Sequence, residues 1–420
     1  MKLSPFQPRL LATAALFFSL WSCTEKLDSS GACPILCPVI GGDVVTTTID
    51  AVVLDTTVQA LSGMGTEPSL LLATRGDTLD TRVIIRFDSL PTTFVPAGDT
   101  ARPITSVDSA YIRLRLDTLS IKGTGLVTIE AYDVDTAAND TSTAAVLALF
   151  RPDRFISSQT FSRAELTDTL KYFISNSAVL SRIQAKTPLR VGLRATGVPN
   201  SAQMRFLSSE ALAGPILSFR ATPDTATHPV SVFPFSRTPV GDPILSSVLV
   251  DYTVVAKAPP PAPPTILAVG GLPSRRIYLR FDIPSAIIDS ATVVRATLLL
   301  NQIPNTALDP EDQVLVIPQI SLAGKVVTDP TKAAQIIREI SSDTLKLKPG
   351  DAGTRNVELA RAFSLWRTQP PDTLPRAIVL QSLSEGGSPL EIRFSSSEDV
   401  AALRPRLRIS YTSRVPLGLP

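Results

Sequence analysis

Thr81-Arg82-Val83-Ile84-Ile85-Arg86-Phe87-Asp88 alternates apolar with arginine-bearing positions and stops at an acidic residue, and Arg275-Arg276-Ile277-Tyr278-Leu279-Arg280-Phe281-Asp282 writes the same pattern 194 residues later. Successive side chains of a strand point to opposite faces, so Val83, Ile85 and Phe87 form one apolar face, as Ile277, Leu279 and Phe281 do in the second copy. Arg82, Arg86, Arg276 and Arg280 are expected to point away from the core.

Outward from these octets the matches keep their order. Val52-Val53-Leu54-Asp55 answers to Val248-Leu249-Val250-Asp251, Ser109-Ala110-Tyr111-Ile112-Arg113-Leu114 to Arg295-Ala296-Thr297-Leu298-Leu299-Leu300, Phe206-Leu207-Ser208-Ser209-Glu210 to Phe394-Ser395-Ser396-Ser397-Glu398, and Gly214 to Phe219 to Arg404 to Ile409. The period far exceeds the roughly 20–50 residues of solenoid and propeller repeats, so each copy is expected to be a domain with its own core. A chain of 420 residues has room for two domains of about 100–200.

The alternation continues. Ala110, Ile112, Leu114 and Leu116 interleave with Tyr111, Arg113 and Arg115; Met204 and Phe206 flank Arg205, as Ile392 and Phe394 flank Arg393. Many such strands between Pro-, Asp- and Gly-containing turns predict an all-β chain of two tandem antiparallel β-sandwich domains. Short helical insertions are expected at Glu165 to Ile183, at its counterpart Val357 to Trp366, and at Thr331 to Ile340, where Asp329-Pro330 supplies an N-cap followed by Pro. The expected divisions are 1–22 (signal peptide), 23–42 (tether), 43–221 (first domain), 222–238 (linker, interrupted by Pro223, Pro229 and Pro234), 239–413 (second domain) and 414–420 (tail). Pro259-Pro260-Pro261-Ala262-Pro263-Pro264 aligns with the loop Ser62 to Ser69 and reads as a stiff polyproline loop of the second domain.

Lys2 and Arg9 precede the apolar run Leu10 to Leu20, the n- and h-regions of an export signal and too short to span a bilayer stably. Leu20-Trp21-Ser22-Cys23 resembles the bacterial lipobox, which implies cleavage before Cys23 and acylation there; an ordinary signal peptide is the alternative. Several acyl chains on one residue give stable membrane attachment. Thr24 stands where an Asp favours inner-membrane retention, so by the same resemblance the expected location is the cell envelope at the outer membrane, on its periplasmic or surface face. Cys33 and Cys37 read as a disulfide in an exported chain, with free thiols or a zinc site as alternatives.

Of 40 basic and 38 acidic residues, removal of residues 1–22 takes only Lys2 and Arg9, leaving a mature chain of zero net charge. Nucleic acid is therefore not an expected partner, since it calls for a basic stripe.

Arg280-Phe281-Asp282, Ala296 to Leu300, Val357-Glu358-Leu359 through Trp366, Phe394 to Glu398 and Pro405-Arg406-Leu407, with their counterparts in the first copy, resemble the DNRLRE domain, carbohydrate-binding module family 96. The resemblance spans nearly the whole mature chain. It implies jelly-roll sandwiches in an extracellular bacterial protein, with polysaccharide binding as the implied function. The competing reading is a structural or protein-interaction part of the envelope that binds no glycan.

Sugar-binding surfaces stack rings on exposed aromatics, yet the mature chain holds one Trp, Trp366, which the repeat places in the core. The candidate binding residues are Tyr111 with Arg113 and Arg115, and Tyr278 with Arg280, all expected on outward faces; ordinary outward residues are the plainer reading. Asp133, Asp135 and Asp140 gather oxygen ligands suited to Ca²⁺, although the run lacks the central Gly of an EF-hand and also reads as a polar turn. His228 is the single histidine, which leaves no Ser-His-Asp or Cys-His chemistry of the usual kind. No pair among the 38 acidic residues is marked for glycosidic cleavage, and the chain is expected to be no enzyme.

Overall fold

The structure, a computed structural model, describes residues 44–413 apart from 61–64, 97–99, 124, 136–141, 198–200, 212, 223–228, 238–248, 341–343 and 370–372. Cys23, Cys33, Cys37 and Asp140, and with them the lipidation and disulfide expectations, lie outside the described residues.

Antiparallel strands dominate. From the N-terminus run β1 (Val45–Ile49), β2 (Val52–Gln59), β3 (Ser69–Arg75), β4 (Leu79–Phe87), β5 (Thr93–Phe94), β6 (Arg102–Pro103), β7 (Ser106–Lys122), β8 (Val127–Asp133), β9 (Phe155–Phe161), β10 (Thr169–Phe173), β11 (Leu189–Gly197), β12 (Ser201–Leu207), β13 (Ile216–Thr222) and β14 (Val230–Val232). Then follow β15 (Asp251–Lys257), β16 (Ile266–Gly270), β17 (Arg275–Phe281), β18 (Ala291–Ile303), β19 (Val314–Ser321), β20 (Ile337–Glu339), β21 (Leu345–Leu347), β22 (Gly353–Glu358), β23 (Ala377–Ser382), β24 (Glu391–Ser395) and β25 (Arg406–Ser413). The α-helices are few: α1 (Thr143–Leu147), α2 (Asn176–Ala185), α3 (Ser285–Ser290), α4 (Pro330–Ala333) and α5 (Ala360–Thr368). None of the described helices is long and apolar enough to cross a membrane.

Two large sheets result. The first runs β14-β13-β7-β12-β3-β4-β11-β8-β9, with β10 on β7 and β15 on β4; the second runs β1-β25-β18-β24-β16-β17-β23-β19-β20, with β2 on β17, β21 on β19 and β22 on β18. Each folds over itself like a sandwich because one long strand serves both layers. In β7, Arg113 pairs with Ile216 on one side of the fold and Leu116 with Phe206 on the other; in β18, Leu298 pairs with Leu407 and Gln302 with Phe394. The first core, from Leu70 and Leu72 to Phe219 and Val232, is closed off inside the first sheet.

The sheets do not follow the expected domain boundaries. Among the described residues, all strands of the first sheet come from 69–257, whereas the second joins β1 and β2 to strands from 266–413. The segment that opens the first repeat thus completes the second sheet, and β15, which opens the second repeat, completes the first. Thr222 to Arg237 is no free linker either: Val230 and Val232 face Phe219 and Leu217 in the ladder, and Phe235 exchanges backbone hydrogen bonds with Arg86 and Asp88. A linker was expected because prolines break periodicity, but Pro229 and Pro234 flank a three-residue edge strand where no ladder N–H is required of them.

Both exchanged strands are held alike. Asp55 on β2 accepts hydrogen bonds from the Ser397 backbone N–H and Oγ, both at 2.6 Å; Asp251 on β15 accepts the same pair from Ser209 at 2.9 and 2.6 Å. Two residues on, Thr57 Oγ1 accepts from Ala268 N–H (2.8 Å) and Thr253 Oγ1 from Leu71 N–H (3.0 Å). The halves also touch through β3, whose Leu71 and Ala73 pack into the second core, and through Arg75–Asp309 and Lys122–Asp312 ion pairs.

Helices differ from expectation at their edges. Glu165 to Ile183 holds β10 before α2, because Leu170 and Tyr172 are buried while Thr169, Lys171 and Phe173 are exposed, a period of two rather than 3.6. Val357 to Trp366 similarly divides into the end of β22 and α5, which buries Phe363 and Trp366. Asp329 does cap α4, accepting from the Thr331 and Lys332 N–H groups, but that helix stops at Ala333 and Ile337 to Glu339 is strand.

Candidate functional site

The most exposed aromatic surface is the outer face of the layer made by β10, β7, β13 and β14. Ile112 and Leu114 of β7 point into the core, which sends Tyr111, Arg113 and Arg115 outward; Leu170 and Tyr172 of β10 do the same for Thr169, Lys171 and Phe173. Because Phe173 sits directly opposite Tyr111 in the ladder, their rings meet at 5.8 Å between centroids, tilted by 57°. Lys171 Nζ lies 5.2 Å from the centre of the Tyr111 ring. Phe233, just past the edge strand, is 67 % exposed, and Phe173 is 50 % exposed.

Beside the ring pair runs an open groove of ≈ 770 Å³ walled by Arg113, Arg115, Asp168, Ser209, Gly214 and Phe233. Arg115 Nε stands 3.8 Å from Asp168 Oδ1, an exposed pair that a ligand can open at little cost. Apolar ring faces, guanidinium donors, one carboxylate and a serine hydroxyl give this surface groups suited to stacking and hydrogen bonding.

The expected residues are only partly gathered here. Tyr111 and Arg113 share the face. Tyr278 was expected outward beside them, but it is 0 % exposed, packed with Val58, Ala333, Ala334, Ala377 and Val379 beneath α4. The strand period was read correctly; a helical insertion invisible to that period covers the outer face. The same reason corrects the arginines: Arg276 is buried, bound by Nε and Nη2 to Glu385 at 2.7 Å each and by Nη1 to the Ala334 carbonyl at 2.7 Å. Arg280 is half-buried on β17, in a layer that does not include Tyr111. Phe173 was read as an apolar position of the expected helix, standing where the family resemblance calls for a Trp, and Lys171 fell in the same segment, while Phe233 went unnoticed in the sequence.

Asp133 and Asp135 both bind Arg182, the latter at 3.3 Å, and their carbonyls accept from Arg154 Nη1 at 3.1 and 2.8 Å. In this structure one carboxylate oxygen of Asp133 and one of Asp135 are thus engaged by the Arg182 guanidinium, and the third expected Ca²⁺ ligand, Asp140, lies outside the described residues. No group of three or more His, Cys, Asp or Glu side chains suited to a metal occurs among the described residues.

Deeper in the first half, Arg86-Phe87-Asp88 forms a buried network. Asp88 accepts from Arg190 Nε and Nη2 at 2.9 and 3.0 Å, from Arg86 Nη2 at 3.3 Å and from the Arg237 N–H at 2.9 Å. Burial alone would raise its carboxyl, but these donors hold it below the usual range. Two other carboxyls go the opposite way. Burial pushes Glu67 up to about 7, helped by the nearby Asp251 charge and opposed by backbone donors including Gly65. Burial likewise pushes Asp251 up to about 6 against its Ser209 hydrogen bonds, with Glu210 adding to the rise. Neither Glu67 nor Asp251 lines the groove.

No protein-family model and no curated protein matches this chain. Among solved structures, similarity is found to the infectious bursal disease virus Gt strain (11 % identity, 91 % of this chain and 78 % of that one, TM-score 0.16). It is also found to the CBM22-1–CBM22-2 tandem domain of Paenibacillus barcinonensis Xyn10C (8 % identity, 88 % and 99 %, TM-score 0.15) and to the major capsid protein P2 of bacteriophage PM2 (12 % identity, 80 % and 100 %, TM-score 0.12). Superpositions this poor carry no inference about fold or function.

Proposed function

We propose that this protein is a non-catalytic cell-envelope lipoprotein, anchored through acylated Cys23, whose first half binds an extracellular polysaccharide on the face carrying Tyr111 and Phe173. The observation behind the reading is that ring pair, an exposed Phe173 on a half-buried Tyr111, with Arg113, Arg115 and the adjoining groove, together with the resemblance of the repeats to the DNRLRE domain and its jelly-roll sandwiches. Sugar rings present apolar C–H faces to aromatics and hydroxyls to guanidinium and carboxylate groups, and both kinds of partner lie within one surface. Binding at one such face is weak, since an open surface immobilises a flexible polymer with few contacts.

The test is a glycan array probed with the soluble fragment 24–420, with and without Ca²⁺. Binding is expected, weakened about fivefold by Tyr111→Ala or Phe173→Ala as a ring contact worth about 1 kcal/mol is lost, with the melting temperature unchanged. Metabolic labelling with a palmitate analogue is expected to mark the wild-type chain and not Cys23→Ala.

A second reading, a structural part of the envelope, is favoured by the strand exchange, which ties the two halves into one piece. Absence of binding to every glycan, with recovery of one envelope protein by pull-down, would replace the first reading by the second.

A further inference from the structure

Each strand slot is filled by a strand from the other repeat, with the same Asp-to-Ser and Thr-to-backbone bonds in both. A slot that takes its strand from another repeat recognises an apolar strand carrying Asp-x-Thr, whatever body it is tethered to. In this chain the exchange closes on itself, since repeat one completes the second sheet and repeat two completes the first.

The two crossovers explain why the exchange is kept. Residues 60–68 include Gly63 and Gly65, whereas 258–265 contains five prolines in the run Pro259 to Pro264. A polyproline stretch extends about 3.1 Å per residue and does not double back. β15, which precedes it, pairs with β4 of the first sheet, and β17 and β25 of the second sheet take β2 and β1.

We propose that a second copy of this chain is a partner of that slot: β1 and β2 of one molecule complete the second sheet of another, and reciprocally, giving a two-fold dimer. Its strand contacts are those of the monomer. Closure by symmetric exchange of an identical segment is a low-cost route to dimers, because no new interface has to be made. What separates monomer from dimer is the effective concentration of the tethered strand, on the order of mM for a short linker. Dimers are therefore formed when chains fold together at high local density and persist afterwards, since release requires β1 and β2 to leave the sheet.

Thr46 Oγ1 and Ser410 Oγ lie 2.9 Å apart on the exposed face of the β1–β25 ladder, which suits trapping by a disulfide. With Cys23, Cys33 and Cys37 replaced by Ser, one full-length chain carries Thr46→Cys and a second, differently tagged, carries Ser410→Cys. A third chain carries both substitutions. The doubly substituted chain is expected to close within itself when refolded dilute. The two single variants, refolded together, are expected to give a covalent heterodimer that is almost absent at about 1 μM and rises to tens of per cent as the concentration approaches the tethered strand's effective value. No heterodimer at any concentration while the double variant closes would overturn the proposal. So would failure of the double variant to close, because the strand would then not occupy the slot.

Discussion

The two halves keep the same joints but not the same outer face. At the joints, Asp55 with Ser397 reproduces Asp251 with Ser209 bond for bond. On the outer face, Thr297 and Glu358 stand opposite each other in the second half where Tyr111 and Phe173 stand in the first, Leu299 replaces Arg113, and Asp50 follows Ile49 as Phe233 follows Val232. Duplication has preserved what closes the sheets, whereas among the described residues the tyrosine–phenylalanine pair of the first half has no counterpart at the matching positions of the second.

The largest effect expected from breaking this symmetry is removal of residues 44–60. It leaves the first sheet's strands whole and deprives the second of β1 and β2, so calorimetry should show one transition kept and another lost, the loss amounting to a domain's marginal stability of about 5 kcal/mol or more. Retention of both transitions would mean that the exchange is not what holds the second sheet.

Next in size is the buried network around Asp88, which the second half does not repeat at Asp282. Asp88→Ala strands Arg86 and Arg190 without their carboxylate and should cost about 3–5 kcal/mol in chemical denaturation. Asp282 is exposed, and Ala377 stands opposite Arg280 where Arg190 stands opposite Arg86, so Asp282→Ala should lie within about 0.5 kcal/mol of wild type. Equal effects would refute the asymmetry.

A third asymmetry concerns pH. The Ser208 hydroxyl bonds the Glu67 carbonyl as Ser396 bonds that of Thr265, so the second half has no carboxyl where Glu67 lies. Glu67 is raised from 4.5 to about 7 and Asp251 from 3.8 to about 6. Their contribution is fully present below the unfolded values and is lost as pH rises through 6 to 7. The first half should thus weaken by about 4–5 kcal/mol between pH 4.5 and pH 7.5, and Glu67→Gln should remove about half of that slope in thermal melts. Asp88 acts in the opposite sense, losing its contribution as pH falls below the ordinary carboxylate range.

The smallest effect is also the sharpest test of equivalence. Asp55→Ala and Asp251→Ala each leave a serine N–H and hydroxyl without their acceptor, for a cost of about 1–3 kcal/mol. Near neutral pH Asp251→Ala should be the milder of the two, because it also removes the desolvation cost of a carboxyl that is more deeply buried than Asp55; a greater loss at Asp251 would show that its slot depends more on the serine bonds.

The strand period was legible from Ala110 to Leu116 because a single face is buried against a core, and from Val83 to Phe87 because the face of Val83, Ile85 and Phe87 is uniformly apolar, although Ile84 and Arg86 on the other face are buried as well. Trp366 was rightly placed inside by the repeat. Burial of Tyr278 and Arg276 was not legible, since the α4 insertion covers them from a segment with no repeat partner to compare. Nor was the exchange. Self-similarity tells which residues occupy equivalent slots and is blind to which copy fills them, as Asp55 and Asp251 show by trading places. Of the surface, Tyr111 and Arg113 could be named from alternation, whereas Phe173 and Phe233 come to it through a strand of five residues and the end of one of three.

The pairing of β1 with β25 joins the first described residues to the last. A ribosome releases β1 and β2 before any of their partners exists, so these two strands must stay unpaired until Arg275 to Phe281 and then Arg406 to Ser413 have followed. Completion of the second sheet is thereby a check on completeness of the chain. A product cut short before Arg406 leaves a bare edge at β1 and another at β18, two strand templates of the kind that quality-control proteases and aggregation both find.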